Sequence, residues 1–244
     1  YEPVKGDELP GRLALPEGLH VPRLQERADL RRQFDQLRQN RDSAPDYAGQ
    51  AYDMVVARRV EEAFAVHREP DRLRDAYGRT SVGEKALLAR RLVEAGVPFV
   101  SVARAWWDSH GQNFETHLEL VSELDHVMST LLDDLDSRGL LEHTLVITMG
   151  EFGRTPSINS SLGRDHFASA WSVSLSGCGV KRGACYGKTS DDGNTVKDGE
   201  IGAGQVFATI YEALGISHEK NYQLGSRPIP LVNPGIHPVR EVLA

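Results

Sequence analysis

Along residues 21–39 the apolar positions Leu24, Ala28, Leu30, Phe34 and Leu37 recur near helical spacing with charges between them, which predicts an amphipathic helix. A second helix is expected over residues 46–67, and Pro70, followed by Asp71, marks a fresh helix start. Ser81 with Glu84 has the spacing of a capping box ahead of the periodic run Ala86-Leu87-Leu88-Ala89-Arg90-Arg91-Leu92-Val93, which Gly96 ends. The apolar run at 99–103 then predicts a strand. Residues 114–138 carry Leu118, Val121, Leu124, Val127, Met128, Leu131, Leu132 and Leu135, a long helix stopped by Gly139. Strands are expected at 144–149 and 171–176, a polar Gly-rich excursion at 181–204, and a last helix at 205–214 before a Pro-rich tail.

Strand, helix, strand, loop, strand, helix is the order of βαβ units, in which crossover helices cover a parallel sheet. The pattern therefore predicts an α/β fold: a layered domain with a mostly parallel sheet over residues 78–244, preceded at 1–77 by an extended segment and charged helices packed on it. About three strands are convincing, thin for a sheet that usually holds about five or more. Part of the sheet is thus expected to be missing, and the N-terminal Tyr1-Glu2-Pro3, with neither an initiator Met nor a signal peptide's apolar core, reads as processed or truncated.

Composition narrows the partners. With 244 residues and 40% apolar content the chain can build a substantial core, and its net charge of -7 argues against a nucleic-acid surface. No apolar run approaches the roughly 20 residues that span a bilayer. Cys178 and Cys185 are the two cysteines, so a disulfide framework is excluded, while one bridge or two free thiols both fit.

Candidate chemistry gathers at the ends of the expected strands, where open α/β sheets hold their ligands. Met149-Gly150-Glu151-Phe152-Gly153-Arg154-Thr155-Pro156 follows one strand, Trp107-Asp108-Ser109-His110-Gly111 follows another, and Gly163-Arg164-Asp165-His166 lies before a third. Asp108 and His110, two apart in an extended segment, point to one side and can share a cation; a turn or cap role fits the pair equally. Glu151 needs a partner, either a metal or, in an ion pair that locks the loop, Arg154. Arg154 suits the oxygens of phosphate or sulfate. Asp165 and His166 offer further ligands or an acid/base pair in which Asp165 orients the imidazole. There is no Gly-x-Ser-x-Gly elbow, phosphate loop or dinucleotide fingerprint.

These three clusters, with Phe207-Ala208-Thr209-Ile210-Tyr211-Glu212-Ala213-Leu214-Gly215-Ile216 and Leu224-Gly225-Ser226-Arg227-Pro228-Ile229-Pro230-Leu231, resemble the bacterial domain-of-unknown-function family 1501, abundant in planctomycete-type bacteria. That family is similar to the alkaline phosphatase and sulfatase superfamily. The resemblance implies an alkaline-phosphatase-like α/β/α domain, of which this chain matches the C-terminal part, and an exported, periplasmic protein. It also implies metal-dependent hydrolysis of phosphate or sulfate esters, with a small molecule or glycan ester as substrate. Asp108, His110, Glu151 and His166 are then the expected metal ligands, with Arg154 on the substrate and Asp165 behind the ligands. Glu151-Phe152 stands where the superfamily has an Asp-His pair, and no Gly-Gly-Pro-Ser-His-like segment precedes it, which puts a two-zinc site and the nucleophile in question. Mixed carboxylate and imidazole ligands suit zinc, manganese or iron better than magnesium or calcium. The alternative expectation is a non-catalytic member whose crevice binds a sulfated or phosphorylated glycan or a protein.

Overall fold

A computed structural model of the chain describes Gly18, residues 20–37 and residues 59–244. The N-terminal extended segment and most of the helix expected at 46–67 lie outside the described residues. The chain divides into two compact units with the boundary between Val102 and Ala103.

In the first unit, helices α1 (Val21–Leu37), α2 (Arg59–Phe64), α3 (Asp71–Ala76) and α4 (Ser81–Glu94) follow the charged and apolar periodicity. The start of α4 is shifted by one residue from the expected capping box. Thr80 is the cap, its hydroxyl accepting from the Gly83 amide at 3.1 Å, because its extended backbone leaves the side chain free to turn over the first turn. Val82, Ala86 and Leu87 bury one stripe of α4 together with Tyr77 and Ala63. Beside that stripe Arg90, only 1% exposed, donates to Glu69 at 2.8 Å and to Glu94 at 2.5 Å. Arg91 donates to the same Glu69 oxygen and to the carbonyls of Ala63 (2.7 Å) and Glu62 (2.5 Å), which ties α4 to the end of α2.

The second unit is built on α5 (Asn113–Ser137) and α6 (Ala203–Ala213). Leu120, Val127 and Leu135 bury one face of α5, and on α6 Ala208 and Thr209 are buried, the Thr209 hydroxyl accepting from the Val239 amide at 2.9 Å. Strands are two to four residues long and pair only in antiparallel couples: β1 (Val146–Thr148) with β4 (Ser174–Ser176), β2 (Gly153–Arg154) with β3 (His166–Phe167), β5 (Lys188–Thr189) with β6 (Val196–Asp198), and β7 (Asn221–Leu224) with β8 (Arg227–Pro230). Cys178 and Cys185 are free thiols; burial pushes the Cys178 thiol up, and it donates to the Ala213 carbonyl at 3.2 Å.

This overturns the expected fold. Six α-helices and four two-stranded antiparallel sheets make up the described residues, with no large parallel sheet, so the layered alkaline-phosphatase-like α/β/α arrangement is absent among them. A parallel sheet needs strands on both sides of a crossover helix. The apolar run at 99–103 supplies none: it makes no ladder, and Phe99 is 82% exposed. With no strand ahead of α5 among the described residues, β1 takes its hydrogen bonds from β4, which runs the other way. Short apolar runs do not reveal their pairing partner, and the βαβ order is only as sound as its weakest strand.

The Glu69 knot offers a direct test of the first unit. Burial pushes the Glu69 carboxyl up, but the hydrogen bonds and charges of Arg90 and Arg91 outweigh it and hold its pKa below the ordinary glutamate value. Its folded pKa being depressed, its contribution is full above the unfolded value of about 4.3 and is lost as pH falls through the lower folded value. Glu69→Gln leaves two guanidinium groups without their shared carboxylate and should destabilise the unit by about 3 kcal/mol at pH 7. Urea denaturation of both chains at descending pH should show the gap narrowing below about pH 4; an equal gap at every pH would contradict the assignment.

Candidate functional site

All residues of the site belong to the second unit. Asp108, Ser109 and His110 lie on the segment that enters α5, and residues 159–165 form the segment that faces it. The two are joined along the backbone. Gln112 and Asn113 amides donate to the Ser161 and Leu162 carbonyls at 3.1 and 2.8 Å, and the Arg164 amide donates to Ser109 at 3.1 Å. Gly163 is buried at the crossing. A Cβ there would lie 2.0 Å from the carbonyl carbon of His110 and 2.3 Å from the Gly111 nitrogen, so the approach requires glycine.

A second pairing brings in the remaining groups. In the β2–β3 ladder Arg154 stands opposite His166, which places both side chains on one face. Arg164 steadies the turn beyond β2 by donating from one nitrogen to the Thr155 and Pro156 carbonyls, each at 2.6 Å.

These constraints converge on one carboxylate oxygen. Asp108 Oδ1 lies 3.0 Å from His166 Nε2 and 3.2 Å from His110 Nδ1, and it accepts from Arg154. One ligand atom from each of Asp108, His110 and His166 lies within 4.8 Å of the others, close enough for a single cation. The rings of His110 and His166 are 4.9 Å apart at their centroids, and Phe152 packs on His166 at 4.7 Å. About half of each of these three side chains is exposed, whereas Arg154 is 17% exposed and lies over the Phe152 ring. Desolvation raises the Asp108 pKa, yet the hydrogen bonds from His166 and Arg154 and the nearby charges outweigh it, so the carboxyl stays below its usual range.

Glu151 and Asp165 are placed differently from these three. Glu151 accepts from Arg154 Nη2 at 2.8 Å, so one guanidinium bridges Glu151 and Asp108, and Glu151 joins the cluster through Arg154. The Asp165 carboxylate accepts from Asn159 at 2.9 Å, while its backbone amide donates to the Thr155 hydroxyl at 3.1 Å. Ser109 is buried and donates to Asn113 Oδ1 at 3.1 Å, and the Thr155 hydroxyl donates to the Ser157 carbonyl at 2.9 Å. Both hydroxyls are therefore engaged within the loops.

Asn159 and the contact role of Gly163 were not legible as functional from spacing alone. An Asn between Ile158 and Ser160, four residues before a glycine, signals a side chain that binds its own loop. His117, on α5, is half-buried: its ring packs edge-on against Trp107 at 5.6 Å, and Nδ1 lies 2.9 Å from the Asn113 carbonyl oxygen.

The family described as "Protein of unknown function (DUF1501)" matches residues 3–243. No curated protein and no solved structure matches the chain. Among the described residues no helix is long and apolar enough to cross a membrane.

The crossing at Gly163 makes the site sensitive to one methyl group. Gly163→Ala must push the His110 backbone away, which separates His110 from His166 without touching either side chain. We expect a folded chain in which the His110 and His166 rings no longer show mutual contacts in nuclear Overhauser spectra; unchanged ring contacts would contradict the reading.

Proposed function

Since the chain belongs to the DUF1501 family, whose description assigns no activity, we propose its function from the site itself: metal-dependent hydrolysis of phosphate or sulfate esters. The observation that carries the reading is the convergence of Asp108, His110 and His166 beside a guanidinium. Three protein ligands of carboxylate and imidazole type leave coordination positions open, the pattern of catalytic rather than structural zinc sites, and they suit manganese or iron as well. Magnesium and calcium, which favour all-oxygen shells, fit less well.

A bound divalent cation would polarise an ester oxygen and offset charge that develops on it. The chain's own groups supply the rest. Arg154 presents two nitrogens in a plane, a geometry matched to two oxygens of a phosphoryl or sulfuryl group. Both nitrogens now rest on carboxylates, so an anionic ester takes the place that Glu151 and Asp108 hold. Water would be the attacking group, and the products the alcohol and the free phosphate or sulfate. Half-exposed ligands leave room for a substrate as large as a glycan ester.

Asp108→Ala and His166→Ala should lose stoichiometric zinc or manganese in equilibrium dialysis, and with it hydrolysis of p-nitrophenyl phosphate or sulfate. Arg154→Gln should behave otherwise. Removing a cation beside Asp108 should tighten metal binding by about 30-fold, on the scale of 2 kcal/mol for a unit charge and a divalent ion about 4 Å apart in water, while turnover falls about 100-fold or more for want of the oxyanion donor. Turnover that survives His166→Ala would overturn the proposal. Metal uptake with no turnover of either ester would favour the non-catalytic alternative, in which the same cation and Arg154 bind a sulfated or phosphorylated glycan.

A further inference from the structure

The ligands come from two segments more than 50 residues apart in sequence, and one side chain touches both. Asn159 Nδ2 donates to the His110 carbonyl at 3.1 Å and to the Asp165 carboxylate at 2.9 Å. Its Oδ1 accepts from the amides of Ser161 and Gly163, each at 2.9 Å. Two donors and two acceptor positions are the whole capacity of an amide side chain, and all are used. The amide's orientation follows from the network, since the backbone N–H groups can only donate and the carbonyl and carboxylate only accept. In addition, the Asn159 amide donates to the Gly163 carbonyl at 2.9 Å, which closes the loop around the side chain.

We propose that Asn159 is the positioning residue of the metal centre: it sets the distance between His110 and His166 by gripping the backbone of the first and the residue preceding the second. The inference rests on the cation-binding reading of the Asp108 cluster. The backbone contacts at Ser161, Leu162 and Arg164 that also pin the His110 loop lie in the loop that Asn159 organises. Asn159 acts as the groups behind metal ligands do, fixing where a ligand sits without meeting the ion. Its side-chain amide also occupies one oxygen of the Asp165 carboxylate.

Asn159→Asp separates the two functions of the side chain. A carboxylate still accepts from the Ser161 and Gly163 amides, so the loop keeps its turn, but it presents oxygen to the His110 carbonyl and to Asp165 and repels both. Zinc affinity by competition titration should fall about 10- to 100-fold, the usual effect of losing a group that orients ligands. In the metal-free chain the imidazole nitrogen signals of His110 and His166 should move, while those of His126 and His143 stay in place. Adding Asp165→Asn removes the repulsion, restores one donor to residue 159 and should recover part of the affinity. If Asn159→Asp does not fold, Asn159→Ser serves, since its short side chain keeps an acceptor for the loop amides but does not reach His110. Wild-type zinc affinity together with unmoved His110 and His166 signals would overturn the positioning role. A wild-type chain that takes up no zinc would instead defeat the cation reading, and the imidazole signals alone would then decide whether Asn159 places the rings.

Discussion

The close crossing of two backbone segments at Gly163 governs the second unit's chemistry. Asp108 and His110 lie ahead of α5, whereas Arg154 and His166 lie beyond it on a small antiparallel ladder. They meet only because the Gly163 backbone can sit where a Cβ would overlap the His110 carbonyl. Once that contact is made, four backbone and side-chain bonds from the 159–164 loop close over residues 109–113. The carboxylate, both imidazoles and the guanidinium then occupy a volume that neither segment could define alone.

Charge decides what such a cluster can hold. Asp108 and Glu151 are bridged by a single guanidinium, so the arrangement is a carboxylate pair with one internal cation. A divalent ion at Asp108 would compete with Arg154 for the carboxylate. Displacement of Arg154 from Asp108 by the ion would turn its nitrogens toward solvent, where an anionic ester would enter. One rearrangement would thus couple cation binding to oxyanion binding, and this is why the guanidinium and the ligands must be considered together.

The residues that gather around Asp108 stand out in the sequence and most of the fold's topology does not, for the same physical reason. Polar residues bunched in Gly-rich turns announce chemistry locally: Asp108 with His110, Glu151 with Arg154, and Asp165 with His166 stand out by residue type. Helix positions follow from apolar periodicity, so α4, α5 and α6 fall within a residue or two of the expected spans. Strand pairing depends instead on a partner far along the chain. The run at 99–103 looks like a buried strand yet pairs with nothing, and the β7–β8 hairpin, closed at Gly225, hides in what reads as a Pro-rich tail. Asn159 escaped notice because its importance lies in four bonds to groups that sequence cannot place.

Whether Asp108, His110 and His166 share one cation is measured most directly by X-ray absorption at the zinc edge of the zinc-loaded full chain. A shared cation gives one zinc per chain with two imidazole nitrogens and a carboxylate oxygen at about 2.0–2.2 Å, and a first shell that loses one nitrogen in His110→Ala. A spectrum of fully hydrated zinc, or a first shell unchanged by that substitution, would contradict it.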